Sequence, residues 1–420
     1  MSARRSNISP APGRTLWFPR LLDRLIQQGT LTFIDPRGHL RIFAGPSVDG
    51  IPPVTIRLHD AALDWRLALR PTLAVGEAYM DGQLTVERGD LYDFLALATY
   101  NLQRPHCPWL LRMAGRAATL ARRLHQWNPE ARARHNAAHH YDLSSTFYDL
   151  FLDSDRQYSC AYFARPGMTL EEAQAAKKRH IAAKLLLEPG QRVLDIGCGW
   201  GGLALDLAAA AGVEVLGITL SREQLDAATR RAADRGLADR VRFQLCDYRQ
   251  VDGIFDRIVS VGMFEHVGIG HYPAFFAALR DHLAEDGVAL LHSIGSSHGP
   301  GTTNPWIRKY IFPGGYMPAL SEVLPVVERQ GLVATDIEIL RNHYADTLRE
   351  WRHRFLANRD QAARLYDERF CRMWEFYLAG SEAAFRHQGL MVFQLQLAKR
   401  DGGVPFSRDY IGAYEERSLR

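Results

Sequence analysis

Between residues 170 and 293 short apolar runs alternate with helix-like stretches, and nothing else in the chain constrains the fold as strongly. The strand-like runs are Arg192–Ile196, Glu214–Thr219, Val241–Cys246, Arg257–Val261 and Val288–Ser293. The helix-like stretches are Leu170–Leu187, Leu203–Ala211, Arg222–Arg235 and Tyr272–Leu283. Near-continuous apolar strands are buried on both faces, and alternation with helices at this spacing predicts βαβ units in a doubly wound, mostly parallel α/β sheet.

The 420 residues suggest two or three domains. With 47% hydrophobic and 23% charged residues, the composition is that of a globular protein with a large core, which excludes collagen-like, coiled-coil and wholly disordered chains. The net charge of +4 is too small to argue for nucleic acid. Cys107, Cys160, Cys198, Cys246 and Cys371 are odd in number and lack Cys-x-x-Cys spacing. That argues against a disulfide framework or zinc ribbon and fits a reducing compartment. No metal site is expected from the sequence. The longest apolar run, Leu203 to Leu220, is interrupted by Asp206 and Glu214, and the first residues have no apolar segment behind their arginines. The expectation is a cytoplasmic protein.

Residues 1–15, rich in Ser, Pro and Arg, read as disordered. Residues 16–130 read as an accessory domain that ends in basic linker helices. In it, Leu31–Ile34, Leu40–Phe43 and Val54–Leu58 are short strand-like runs between turn signals, and Gly76–Gly82 reads as a helix running into a turn. From Arg104 to Arg134, Arg112, Arg116, Arg122, Arg123 and Arg132 interleave with Trp109, Leu110, Met113, Leu120 and Trp127, against a single acid, Glu130. This basic amphipathic pattern suits an anionic membrane surface, and equally an interdomain helix with a solvated basic face. The catalytic domain is placed at 135–420.

Val193-Leu194-Asp195-Ile196-Gly197-Cys198-Gly199-Trp200-Gly201-Gly202 follows a strand and opens a helix. Gly197, Gly199 and Gly201 allow a tight turn and close approach of a ligand to backbone. The spacing is G-x-G-x-G rather than the dinucleotide G-x-G-x-x-G, and the acid Asp195 sits just before it. This resembles the first motif of class I S-adenosylmethionine methyltransferases, whose ligand is a sulfonium amino acid. The second strand ends in Thr219-Leu220-Ser221 with Gln224 following, so neutral side chains replace the acid that many such enzymes place there for the ribose. Tyr248, after the third strand, is positioned to meet the adenine.

Further segments resemble one family closely. They include His140-Tyr141-Asp142-Leu143-Ser144, Tyr158-Ser159-Cys160-Ala161-Tyr162-Phe163, Phe264-Glu265-His266-Val267, Leu291-His292-Ser293-Ile294, Tyr310-Ile311-Phe312-Pro313-Gly314-Gly315, His343-Tyr344-Ala345 and Arg372-Met373-Trp374. The chain is identified by them as resembling the cyclopropane fatty acid synthases and their mycolic acid relatives, over most of 135–400. The N-terminal part resembles the extra domain of the phospholipid-acting branch.

The resemblance implies a seven-stranded sheet with an antiparallel last strand, Met391–Leu397. It implies transfer of a methylene from S-adenosylmethionine to the cis double bond of phospholipid acyl chains. A carbocation forms and is deprotonated by bound bicarbonate, and a cyclopropane ring closes. A related methyltransferase giving a methylene- or methyl-branched product, or methylating an amine, is the alternative. The bicarbonate shell is expected at Cys160, Glu265, His292, the backbone of Ile294 and Tyr344. Cofactor contacts are expected from Tyr158, Ser159, Asp195, Gly197, Gly199, Gly201, Thr219, Leu220, Gln224 and Tyr248, with Tyr158 and Ser159 on an N-terminal helical arm. Phe264, Tyr310, Phe312, Gly314, Gly315, Tyr316, Trp374 and Tyr377 are candidates for the acyl channel, although an aromatic stripe at helical spacing also suits plain core. The implied partners are a phospholipid membrane surface at the inner face, bound peripherally, and a second copy of the chain.

Overall fold

The computed structural model describes residues 16–104 and 143–417. The chain divides into two compact units, 1–108 and 109–420. The expected disorder of 1–15, the basic segment beyond Arg104 and His140-Tyr141-Asp142 of the first quoted motif lie outside the described residues.

The first unit carries a four-stranded sheet in the order β2-β1-β3-β4. Its strands are β1 (Thr30–Ile34), β2 (Leu40–Ala44), β3 (Val54–Leu58) and β4 (Leu84–Arg88). β1 runs parallel to β3, and the outer pairs are antiparallel. Helices cover 17–25, 64–69, 71–80 and 91–102. Leu31, Phe33, Ile56 and Leu58 alternate inward, as half-buried strands require. Two polar side chains tie the helices down. Asp64 accepts the N–H groups of Trp17 (2.6 Å) and Phe18 (2.9 Å) at the open start of the first helix. Fully buried Asn101 accepts from the Gln27 and Gln28 amides and donates to two carbonyls. β4 carries no apolar run long enough to have been read from sequence.

The second unit is built on a seven-stranded sheet ordered β10-β11-β9-β8-β5-β6-β7. The strands are β5 (Arg192–Ile196), β6 (Glu214–Thr219), β7 (Val241–Leu245), β8 (Phe255–Val261), β9 (Leu283–Ser296), β10 (Val333–Ile339) and β11 (Leu390–Ala398). β7, β6, β5, β8 and β9 are parallel, and β11 runs antiparallel to both neighbours. The expected architecture and antiparallel last strand are thus present. β10, half-exposed and alternating, has no apolar run in sequence.

The pleat of β5 divides the core. Val193 enters a cluster with Ile181, Leu205 and Leu207, whereas Leu194 and Ile196 enter a second cluster with Phe275, Phe276 and Val323. Helix 170–185 starts at a capping box. Thr169 Oγ1 accepts the Glu172 amide, and the Glu172 carboxylate accepts the Thr169 amide at 2.8 Å. No helix among the described residues is long and apolar enough to cross a membrane.

Candidate active site

A cleft opens where the parallel strands β5, β6 and β8 end, the position at which open α/β sheets take ligands. Tyr158, Ser159, Asp195, Gly197, Gly199, Thr219, Leu220, Gln224 and Tyr248 all line it. Gly201 does not. It sits one step behind the wall with φ +80°, and a Cβ there would lie 2.5 Å from Phe243 Cζ. Its role is to let the helix start flush against β7. Gly197 has φ +85°, and a Cβ would meet Met263 Cβ at 2.8 Å. At Gly199 no protein atom lies within 4 Å of an added Cβ, so the loop faces open cleft there.

Asp195 lies at the cleft floor, and its buried Oδ2 has no hydrogen-bond partner. Burial lifts its carboxyl to about 7, against the pull of the Lys177 ammonium. A buried, unpartnered acid suits a ligand that brings donors and positive charge. The neutral end of β6 is arranged as a unit, since Thr219 Oγ1 bonds to Gln224 Oε1 at 2.8 Å.

Tyr158 and Ser159 are not on a helix. They belong to an irregular segment, 149–169, fixed by side chains from elsewhere. The Ala161 amide donates to Thr347 Oγ1 (3.0 Å) and the Phe163 amide to His343 Nδ1 (3.1 Å). The resemblance implied a helical arm here, but these amides find side-chain partners elsewhere in the chain.

Behind the cleft lies a buried polar shell. Cys160 is 1% exposed, and burial pushes its thiol pKa up. Glu265 follows β8, and its Oε1 accepts the Ile294 amide at 2.7 Å, leaving Oε2 buried without a partner. Burial raises this carboxyl to about 7, with the Ile294 N–H opposing. The Ile294 backbone donor is therefore engaged by Glu265 rather than presented to a guest. His292, two residues earlier, shares the same face of β9. It lies within the strand, not at its end. Gln394 Nε2 is 3.2 Å from His292 Nδ1, and His292 Nε2 is buried without a partner. Burial holds this imidazole neutral, down to about 3. The Gln394 donor makes Nδ1 the acceptor, so the proton belongs on Nε2. A buried N–H donor and a buried carboxyl oxygen, each without a partner among the described residues, are the groups that a small oxyanion carrying its own O–H would need.

Tyr344 is packed edge-on against Trp351 and Phe385 on the same helix as Thr347. Gly262 joins the two halves of the region. Its amide donates to His292 O at 2.9 Å, and its open side faces Ser159.

The channel candidates separate. Phe312 lies 5.7 Å from Tyr377, whose hydroxyl meets that of Tyr158 at 3.1 Å, which places both beside the cleft wall. Gly314 turns with φ +78°, and Gly315 N–H bonds back to Phe312 O. Trp374 packs on Phe147, Phe151 and Tyr377, and Tyr310 on Trp306. Phe264 and Tyr316 are corrections. Both are fully buried in the core cluster, Phe264 stacked on Tyr272 and Tyr316 bonded to Glu322. The turn after β8 rotates Phe264 inward while Met263 and His266 face the cleft.

Arg156, Gln157, Trp200, Met263, His266 and Pro313 also line the cleft and were not expected. Only their adjacency to expected residues could have signalled them. Among the described residues no group of His, Cys, Asp or Glu is arranged to hold a metal ion.

The family described as mycolic acid cyclopropane synthetase matches residues 128–395. The chain is 39% identical over 358 residues to the cyclopropane-fatty-acyl-phospholipid synthase of Escherichia coli, covering 85% of this chain and 91% of that protein. It is 40% identical over 362 residues to a tuberculostearic acid methyltransferase of Mycobacterium tuberculosis, covering 80% and 81%. A crystal structure of the mycolic acid cyclopropane synthase CmaA1 complexed with SAH and CTAB superposes with a TM-score of 0.60 at 37% identity, over 64% of this chain and 98% of that one. Coclaurine N-methyltransferase, at 22% identity and a TM-score of 0.62, shares the fold over 77% of this chain and 99% of that one.

Proposed function

Because the chain belongs to the mycolic acid cyclopropane synthetase family, we propose that it closes cyclopropane rings at the cis double bonds of unsaturated acyl chains in membrane phospholipids. It is an S-adenosylmethionine-dependent methyltransferase. The observation that carries the finer reading is the pair of buried, unpartnered polar atoms, Glu265 Oε2 and His292 Nε2, behind the cleft.

When bound, S-adenosylmethionine supplies an electrophilic methyl group in the cleft and bicarbonate supplies a base in the shell behind it. The cleft fits the first through the open loop at Gly199 and unpartnered Asp195, with Tyr158, Thr219, Gln224 and Tyr248 around it. The shell fits the second because His292 Nε2–H donates, while Glu265 accepts an O–H or, when protonated, donates. Cys160 and Tyr344 complete it. The alkene is itself the nucleophile, so no activated Ser, Cys or Lys is required. Positive charge on an acyl carbon would be trapped by water, and Tyr158, Phe312 and Tyr377 provide an apolar, aromatic wall against it.

Membrane docking through the basic segment of residues 104–134 and pairing with a second copy belong to the same proposal. The support for docking is the interleaving of arginines with Trp109, Leu110 and Trp127, and pairing rests on the resemblance alone.

A second reading, a methyl- or methylene-branched product, is favoured by the relative named a tuberculostearic acid methyltransferase. Product analysis decides. The protein is incubated with S-adenosylmethionine and vesicles of a cis-monounsaturated phospholipid, and the acyl chains are examined by mass spectrometry and proton NMR. A gain of one methylene with alkene signals lost and shielded ring protons present supports the ring. The same gain with retained alkene protons, or without ring protons, replaces it with the branched product. Unchanged lipid overturns the phospholipid substrate.

A further inference from the structure

One wall of the cleft rests on a cation. Lys177, on the helix 170–185, is 0% exposed, and its ammonium donates to Gln157 Oε1 (2.7 Å) and Ser159 Oγ (2.8 Å). Both acceptors belong to residues that line the cleft. Gln174, one turn earlier, donates to the carbonyls of the same two residues at 3.1 and 3.0 Å. A single helix face therefore grips Gln157 and Ser159 by side chain and by backbone.

The cost of this arrangement is what makes it informative. An ammonium buried without a contacting carboxylate is among the more expensive groups a core can hold. Both hydrogen-bond partners of Lys177 among the described residues are neutral. Burial lowers its pKa to about 8, with Asp153 and Asp155 opposing. A neutral side chain of similar length would fill the same volume at less cost, so packing alone does not account for a lysine. Its position does. The charge acts on Asp195 in the cleft and on Cys160 and His292 in the shell.

We propose that Lys177 is a positioning residue that holds the Gln157–Ser159 wall in the conformation that receives the cofactor. The wall is an irregular segment in which Gln157 Nε2 also donates to Asp155 Oδ2 at 2.9 Å, and the ammonium supplies the donor that Gln157 Oε1 and Ser159 Oγ share. The proposal rests on reading the cleft as the S-adenosylmethionine site.

The test is titration calorimetry of the full chain with S-adenosylhomocysteine, alongside thermal unfolding. Lys177→Met is expected to weaken binding at least about tenfold while its Tm stays at or above that of the wild type, because a buried charge has been removed. KM for S-adenosylmethionine rises correspondingly more than kcat falls. In a double-mutant cycle, the losses of affinity in Lys177→Met and Gln157→Leu are less than additive, since the bond between the two side chains is lost in either variant. A merely structural lysine would lower Tm and leave affinity within about twofold of wild type, and that result overturns the proposal. Additive effects of Lys177→Met and Gln157→Leu overturn it equally. Should Lys177→Met fail to fold, Lys177→Gln, which keeps a polar head without the charge, carries the same two expectations. Failure of the wild-type chain to bind S-adenosylhomocysteine would instead strike the cofactor reading itself.

Discussion

The carboxylate of Glu265 is divided between two tasks: Oε1 accepts the Ile294 amide at 2.7 Å, and Oε2 lies buried with no partner. The first oxygen fixes the side chain to β9, and the second is free for a guest. Replacing Glu265 with Gln preserves the shape but alters the charge and the donor pattern. Turnover is expected to fall roughly 10²–10⁴-fold, the range for loss of a group that handles a proton, with S-adenosylhomocysteine affinity unchanged in calorimetry. Wild-type turnover would remove Glu265 from the mechanism.

The shell around His292 and Glu265 also predicts a dependence on a small oxyanion. Activity measured in carbonate-depleted buffer is expected to drop and to return on adding bicarbonate, while chloride at the same ionic strength does not restore it. Full activity after depletion would argue that protein groups alone take the proton.

Asp195 gives a pH signature of stability. Its folded pKa, about 7, lies above the ordinary 3.8, because burial disfavours the charged form. The folded state therefore holds the proton more tightly, so the stability from this group is full below about pH 4 and is lost as pH rises to about 7. Relative to Asp195→Asn, the unliganded wild-type chain should lose on the order of a few kcal/mol across that window. Urea unfolding of both proteins at three pH values checks this, and parallel pH profiles would refute it.

Gly201→Ala tests the backbone under the loop. The substitution places a Cβ at φ +80° and 2.5 Å from Phe243 Cζ. The left-handed conformation costs about 1–2 kcal/mol, and forced repacking adds about 1–3 kcal/mol. A marked drop in Tm is expected even without ligand, and an unchanged Tm would mean that the loop relaxes freely.

The basic segment makes membrane binding electrostatic in the proposal. Association with anionic vesicles should weaken strongly from low salt to roughly 0.5 M, where the Debye length shrinks to a few ångströms. Replacing Arg112, Arg116, Arg122 and Arg123 together with Gln should reproduce that loss at low salt. Salt-independent binding, or equal binding to neutral vesicles, would assign the segment a purely structural role.

The sheet was readable because β5, β6 and β8 are mostly apolar runs and the helices between them carry apolar faces, a pattern that depends only on local periodicity. β4 and β10 were not readable, because Val86 and Ile337 gain their partners from across the sheet and not from neighbours in sequence. The cleft residues next to the glycine loop were legible for a similar reason: Asp195, Gly197 and Gly199 are contiguous.

Side-chain direction was a different matter. In a chain segment without regular structure, orientation follows from what lies opposite, which local sequence does not encode. Phe264 and Tyr316 turn into the core, and Gln157 turns toward the cleft, each according to what packs against it.

The runs of β5, β6 and β8 and the glycines of the loop were therefore legible in the sequence alone. Only the tertiary structure decided that Ile294 gives its amide to Glu265, that Gln394 leaves the His292 proton on Nε2, and that a buried Lys177 stands behind the cleft wall. Each of these is a contact between residues at least 18 positions apart in the chain. Hydrogen bonds are directional and short, so they exist only once packing has brought the two groups within about 3 Å at a suitable angle.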